Sequence, residues 1–216
     1  MSEKVLIIDF GSQYTQLIAR RVRELNIYCE IHPFNKIDLD INSYKAIILS
    51  GSPFSVRSKD ALHIDLTNFK GKIPILGVCY GAQYLAHFNG GKVVSSNKRE
   101  YGRAKLNFID CNSELFHGID AETQVWMSHS DTVEHLPNGA KLIASTSDVE
   151  NAAFEIEREL VFGIQFHPEV YHTTKGKDLL RNFLIKISKI KANWTAESFS
   201  AKTISYIKET VKNEKI

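Results

Sequence analysis

A thiol set in Gly77-Val78-Cys79-Tyr80-Gly81 is the group in this chain best placed to do covalent chemistry. An apolar run over 73–78 leads into it and a helical pattern over 81–88 leads away. A Gly-x-nucleophile-x-Gly turn between strand and helix lifts a side chain onto the top of an α/β sheet. The glycines permit the tight turn and the close approach of strand to helix. The Cys79 sulfur would face the first turn of the helix, whose partial positive charge favours a thiolate. A nucleophilic thiol needs a base, and the base needs an orienting group. His167-Pro168-Glu169 supplies both at the end of another strand-like run. Residues two apart on extended backbone point the same way, so Glu169 can accept one imidazole N–H and leave the other nitrogen facing Cys79. An acyl intermediate also needs N–H donors for its oxyanion. The amide of Tyr80 is the natural first donor, and the turn Gly51-Ser52-Pro53 can supply a second.

The plainer readings of the other candidates prevail. Cys29 falls on the apolar side of its strand and reads as packing. Cys111 lies in a polar turn. His63, His87, His117 and His135 have no companion pattern and receive no role. His167, Glu169 and His172 do not have the spacing of a zinc helix, and no Cys-x-x-Cys accompanies them, so no metal site is expected. His-x-Glu also opens a zinc deaminase motif, but the required Pro-Cys-x-x-Cys is missing.

The elements that must carry these groups follow from periodicity. Val5-Leu6-Ile7-Ile8 reads as a buried strand. A helix is expected over 13–25, with Tyr14, Leu17, Ile18, Val22 and Leu25 on one face. Strands are expected over 28–34 and 46–49, a helix over 59–69, then the strand into Cys79. Such alternation argues for a parallel sheet wound with helices, and ligands gather at the carboxyl ends of its strands. After Gly90-Gly91, shorter strands are expected over 92–96, 104–109, 141–146, 152–157 and 161–166. A helix over 175–188 follows, with Leu179, Leu180, Phe183, Leu184 and Ile187 on one face. The expectation is an α/β fold with a mostly parallel central sheet and flanking helices, enriched in β-strands in its second half. Residues 1–190 form one folded unit in this reading. Residues 191–216 form a linker and an amphipathic helix that needs a partner.

The chain has 216 residues and a formal net charge of +2. From Lys186 onward, seven lysines face three glutamates, so the tail is basic and the rest carries −2. A solvated helix face explains such a tail, and no interleaving of Arg with aromatics supports a nucleic-acid surface. No apolar run approaches bilayer length, and neither a signal peptide nor a membrane partner is expected. Three cysteines, an odd number, argue for a reducing compartment, the cytoplasm.

Together, Gly77-Val78-Cys79-Tyr80-Gly81-Ala82-Gln83, Gln165-Phe166-His167-Pro168-Glu169 and Ser50-Gly51-Ser52-Pro53 resemble the class I (triad) glutamine amidotransferases. Three further segments are similar to the glutaminase domains of GMP synthetases. They are Asp9-Phe10-Gly11-Ser12-Gln13-Tyr14-Thr15-Gln16, Trp126-Met127-Ser128-His129-Ser130-Asp131 and Val170-Tyr171-His172-Thr173-Thr174-Lys175-Gly176. The resemblance makes residues 1–190 a glutaminase domain. Trp194-Thr195 and the helix after it resemble the entry into an ATP-pyrophosphatase domain. No Ser-Gly-Gly-x-Asp-Ser loop is present, and a piece of a longer chain is expected. The resemblance implies Cys79 as nucleophile, His167 as base and acid, and Glu169 as orienter. It implies Ser52 and Tyr80 as oxyanion donors, with Gly51, Gln83, Ser128 and Asp131 around glutamine. Asp131 would take the α-ammonium group. The family has a second glycine where this chain has Ser52, and serine disfavours a positive φ there. No cofactor is implied for this chain; ATP and Mg2+ would belong to the synthetase domain, which would use the ammonia to turn XMP into GMP. Two other readings stay open: a glutaminase serving another acceptor, and a silent docking module.

Overall fold

The computed structural model describes residues 3–37 and 43–212; within that range the side chains of residues 97–100 and 202 are not described. Among the described residues, nine strands form one mixed sheet: β1 (Lys4–Asp9), β2 (Tyr28–Pro33), β3 (Ala46–Leu49), β4 (Ile75–Val78), β5 (Lys92–Ile109), β6 (Gln124–His135), β7 (Lys141–Thr146), β8 (Ala153–Ile156) and β9 (Val161–Ile164). Their order across the sheet is β2-β1-β3-β4-β9-β8-β7-β5-β6. The run from β2 to β9 is parallel, and the pairings from β9 to β6 are antiparallel. A parallel sheet covered on both faces buries every residue of its inner strands. β3, β4 and β9 are accordingly buried along their whole length.

Helix α1 (Thr15–Arg23) and helix α3 (Gly176–Arg181) cover one face, and α2 (Tyr80–Phe88) covers the other. The alternation of strand side chains divides the core accordingly. Val5, Ile7, Ile48 and Leu76 meet Ile18, Val22 and Leu179, whereas Leu6, Ile8, Leu49 and Ile75 meet Tyr80, Tyr84 and Leu85.

Three expectations need correction, and one strand was not expected. No helix forms over 59–69, where the chain runs through turns and irregular backbone. The Tyr80 hydroxyl accepts from the Leu62 N–H at 3.1 Å and donates to the Leu62 carbonyl. The Tyr84 hydroxyl does the same for Ile64, accepting its N–H at 3.0 Å. Side chains of α2 thus replace the hydrogen bonds a helix would have supplied. The two strands expected over 92–96 and 104–109 are one long β5, irregular between Ser95 and Glu100. β6 was not anticipated at all. The helix expected over 175–188 is α-helical only to Arg181 and widens to a π-helix over Asn182–Ile187. There the buried Asn182 amide donates to the carbonyls of Leu115 and His117.

Past Ser188 the chain crosses to α4 (Ala196–Val211), whose N-terminus carries a reciprocal cap between Thr195 and Ser198. The Trp194 N–H donates to the Asn26 carbonyl at 2.8 Å, and Phe199 stacks on Tyr28. Beyond those contacts Ile204, Tyr206 and Ile207 are exposed.

Candidate active site

β1, β3, β4 and β9 are neighbours in the parallel half, and their carboxyl ends place four loops along one rim. Asp9 shapes the first, accepting from the N–H of Gly11 at 2.9 Å and from the Thr15 hydroxyl at 2.6 Å. Ser50 and Ser52 tie the second loop to the first: the Phe10 N–H donates to Ser50 Oγ at 3.0 Å, and Ser52 Oγ donates to the Phe10 carbonyl at 2.8 Å.

The third loop is the elbow. Cys79 has φ 55° and ψ −106°, a left-handed and strained conformation for a non-glycine residue. The flanking glycines explain how it is held. A methyl group on Gly77 would lie 2.5 Å from the Gly81 carbonyl group, and one on Gly81 would lie 2.6 Å from the Leu49 carbonyl oxygen. Strand, elbow and helix therefore approach more closely than any side chain would allow. Among the described residues no acceptor takes the N–H of Tyr80, the first residue of α2.

The fourth loop brings His167 and Glu169. The His167 N–H donates to the Trp126 carbonyl at 3.0 Å, and the Thr173 hydroxyl donates to the His167 carbonyl at 2.5 Å. From α1, the Arg21 guanidinium donates to the Glu169 carbonyl at 2.9 Å. His167 Nδ1 lies 2.7 Å from Glu169 Oε1, and both side chains are buried. Since a carboxylate oxygen accepts, Nδ1 carries the proton and Nε2 is left for the thiol. Burial by itself would push the imidazole's pKa down. The charges of Glu169 and Cys79, with hydrogen bonds to both, raise it well above the ordinary histidine value instead. A methyl group on Gly51 would lie 3.6 Å from His167 Cε1 and 3.8 Å from Cys79 Cβ, so the three residues surround one point. The Tyr14 ring meets the imidazole edge-on at 5.1 Å.

All nine residues singled out from the sequence are accounted for at this rim. Cys79, His167, Gly51, Ser52, Tyr80, Gln83, Ser128 and Asp131 line a cavity of about 390 Å³, and Glu169 stands behind His167. Ser52 does not adopt a positive φ. Its hydroxyl is turned to Phe10, away from the role of a direct donor to the cavity. Gln83 Nε2 donates to the Asp131 carbonyl at 2.7 Å, and His129 Nδ1 donates to the same oxygen at 2.9 Å. Burial pushes the His129 imidazole down to about 4, so it is neutral at ordinary pH. The Asp131 carboxylate pairs with Arg57 at 3.0 Å and accepts from the Ser55 hydroxyl. Ser55, Arg57 and His129 were not identified from the sequence as site residues. The partners of Ser55 and Arg57 lie 76 and 74 positions away, so no local pattern announces them.

Residues 6–187 match the family glutamine amidotransferase class-I. This chain belongs to that family. The amidotransferase is 62% identical over all its 216 residues to a Christiangramia forsetii protein named GMP synthase [glutamine-hydrolyzing], and 57% identical to one of the same name from Flavobacterium psychrophilum. It spans 42% of the length of each. Among solved structures, it superposes with a TM-score of 0.75 on a Thermoplasma acidophilum protein provisionally described as a GMP synthase subunit, at 31% identity. That match covers 88% of this chain and 95% of the other. A Thermotoga maritima glutamine amidotransferase, 20% identical with a TM-score of 0.68 over 88% of this chain and 99% of its own, shares the fold.

Among the described residues no cluster of three or more His, Cys, Asp or Glu could hold a metal ion, and no helix is long and apolar enough to cross a membrane.

Proposed function

We propose that this chain hydrolyses glutamine through a cysteinyl thioester and supplies the ammonia to a synthetase domain that converts XMP to GMP. The observation that carries it is the meeting of the strained Cys79 elbow with a His167 imidazole already paired to Glu169 at 2.7 Å. Cys79 sulfur attacks the side-chain amide carbon, and its proton rests on His167 Nε2. The raised affinity of His167 for that proton supports an imidazolium beside the sulfur. The negative oxygen of the intermediate accepts from the Tyr80 N–H, with the loop at Gly51 and Ser52 as the second source. His167 returns the proton to the nitrogen, and ammonia leaves. Water then gives a proton to His167 and attacks the thioester carbon; the Cys79–carbon bond breaks and glutamate departs.

The acceptor chemistry rests on the names of the relatives and on their length. ATP and Mg2+ belong to the synthetase domain in this reading. The boundary near residue 190 is supported by the irregular stretch that precedes α4. Three free cysteines support a reducing compartment, the cytoplasm.

Replacing Cys79 with Ala is expected to abolish ammonia release from glutamine while leaving the thermal unfolding midpoint nearly unchanged. Turnover retained by that variant would remove the assignment. A glutamine-like electrophile should label Cys79 one-to-one, with glutamine protecting. Labelling by generic thiol reagents alone, without protection, would favour the silent docking module.

A further inference from the structure

Asp131 is 5% exposed and lines the cavity, and both of its carboxylate oxygens are engaged by residues outside the cavity lining. Oδ1 takes the Arg57 guanidinium at 3.0 Å, and Oδ2 takes the Ser55 hydroxyl. Neither Ser55 nor Arg57 lines the cavity. Ser55 is itself held in place: its Oγ accepts from the Arg57 N–H at 3.1 Å, and its carbonyl accepts from the Ser58 hydroxyl at 2.9 Å. The same loop begins at Gly51, beside Cys79 and His167.

From this we infer that Ser55 and Arg57 are positioning residues for substrate selection: they hold the Asp131 carboxylate from behind, so that its remaining lone pairs meet the α-ammonium group of glutamine. The inference rests on the glutaminase reading given above. Each carboxylate oxygen has two acceptor sites, so one neighbour behind each still leaves room in front. A nearly buried carboxylate is costly without a partner, and without Arg57 it would be free to turn toward other donors. The guanidinium also repels a substrate cation. Its side chain is 41% exposed, however, so solvent screens that repulsion, while the contact with Asp131 is direct. The alignment therefore outweighs the repulsion.

The test compares two amides on the full-length protein. Glutamine carries the α-ammonium; glutaramate keeps the side-chain amide and the carboxylate but lacks it. Ser55→Ala and Arg57→Met are each expected to lower kcat/KM for glutamine on the order of tenfold, mainly through KM, as fits loss of a hydrogen bond to a charged group. Glutaramate turnover should change little, so the preference for glutamine shrinks. Arg57→Lys should recover part of it. An equal loss on both amides would make the pair general loop supports and overturn the inference. So would tighter glutamine binding in Arg57→Met, which would make Arg57 a competitor. Asp131→Asn separates this from the underlying reading. It should erase the preference; if the preference survives there, Asp131 does not read the ammonium and the inference falls with it.

Discussion

His129 stands at a crossing of strand and substrate cavity. It is 4% exposed, its Nδ1 donates to the Asp131 carbonyl, and Gln83 donates to the same oxygen. The two donors hold the carbonyl of the residue that reads the ammonium in the proposed mechanism. Burial leaves His129 with a pKa of about 4 against 6.5 for the free side chain. Between those values the unfolded chain binds a proton that the folded chain refuses, so the folded state loses stability as pH falls from 6.5 toward 4. Going from about pH 7 to about pH 5, this one group should cost about 2 kcal/mol. His167 acts with the opposite sign. Its raised pKa contributes stability below the ordinary histidine range that is lost as pH rises through the folded value. Chemical denaturation of the parent and of His129→Gln across that acid range checks the first effect. The variant should show a visibly shallower loss, and parallel curves would refute it.

At the scale of elements, the elbow and the irregular stretch before it depend on one another. α2 presents the Tyr80 and Tyr84 hydroxyls to the backbone of Leu62 and Ile64. Tyr84→Phe should therefore remove about 1–3 kcal/mol by stranding buried backbone groups. It should also make the chain near Ile64 more open to protease, which limited digestion with mass spectrometry would detect. Uncut chain at parental stability would show that those hydrogen bonds are replaceable. The same contacts explain the misread helix. Leu62, Leu66 and Phe69 fall at i, i+4 and i+7, a helical spacing, but α2 satisfies the backbone at Leu62 and Ile64 instead. β6 was hidden for a related reason. Its inward positions include His129 and Asp131 alongside Val125, Met127 and Val133, so polar groups interrupt the period-two apolar signal. By contrast, β4 and α2 were legible, because a buried parallel strand must be apolar throughout and the elbow tolerates only glycine at Gly77 and Gly81.

For the molecule as a whole, among the described residues α4 is joined to the body by the ring stack of Phe199 on Tyr28, and Trp194 just before it by its backbone N–H on Asn26 and its ring beside Tyr28. Aromatic pairs contribute roughly 0.5–1.5 kcal/mol beyond their burial. A chain ended after Thr195 should thus unfold within about 2 kcal/mol of the parent, by denaturant titration. A larger loss would make α4 part of the core. The amino-acid sequence by itself determined the chemistry on offer and the rim where it had to gather. The glycines around Cys79 mark the sharp turn that a nucleophile at that point needs, and the His-Pro-Glu spacing puts the imidazole within reach of the carboxylate, although Pro168 and Glu169 lie in a turn past β9 and not on the extended backbone expected. Tertiary structure decided what no spacing encodes: that β6 brings the Ser128 carbonyl within 3.6 Å of the Cys79 thiol, that Ser55 and Arg57 reach Asp131, and that two tyrosines replace a helix. Those contacts join residues far apart in the chain, and their energy exists only once the sheet has brought the strands together.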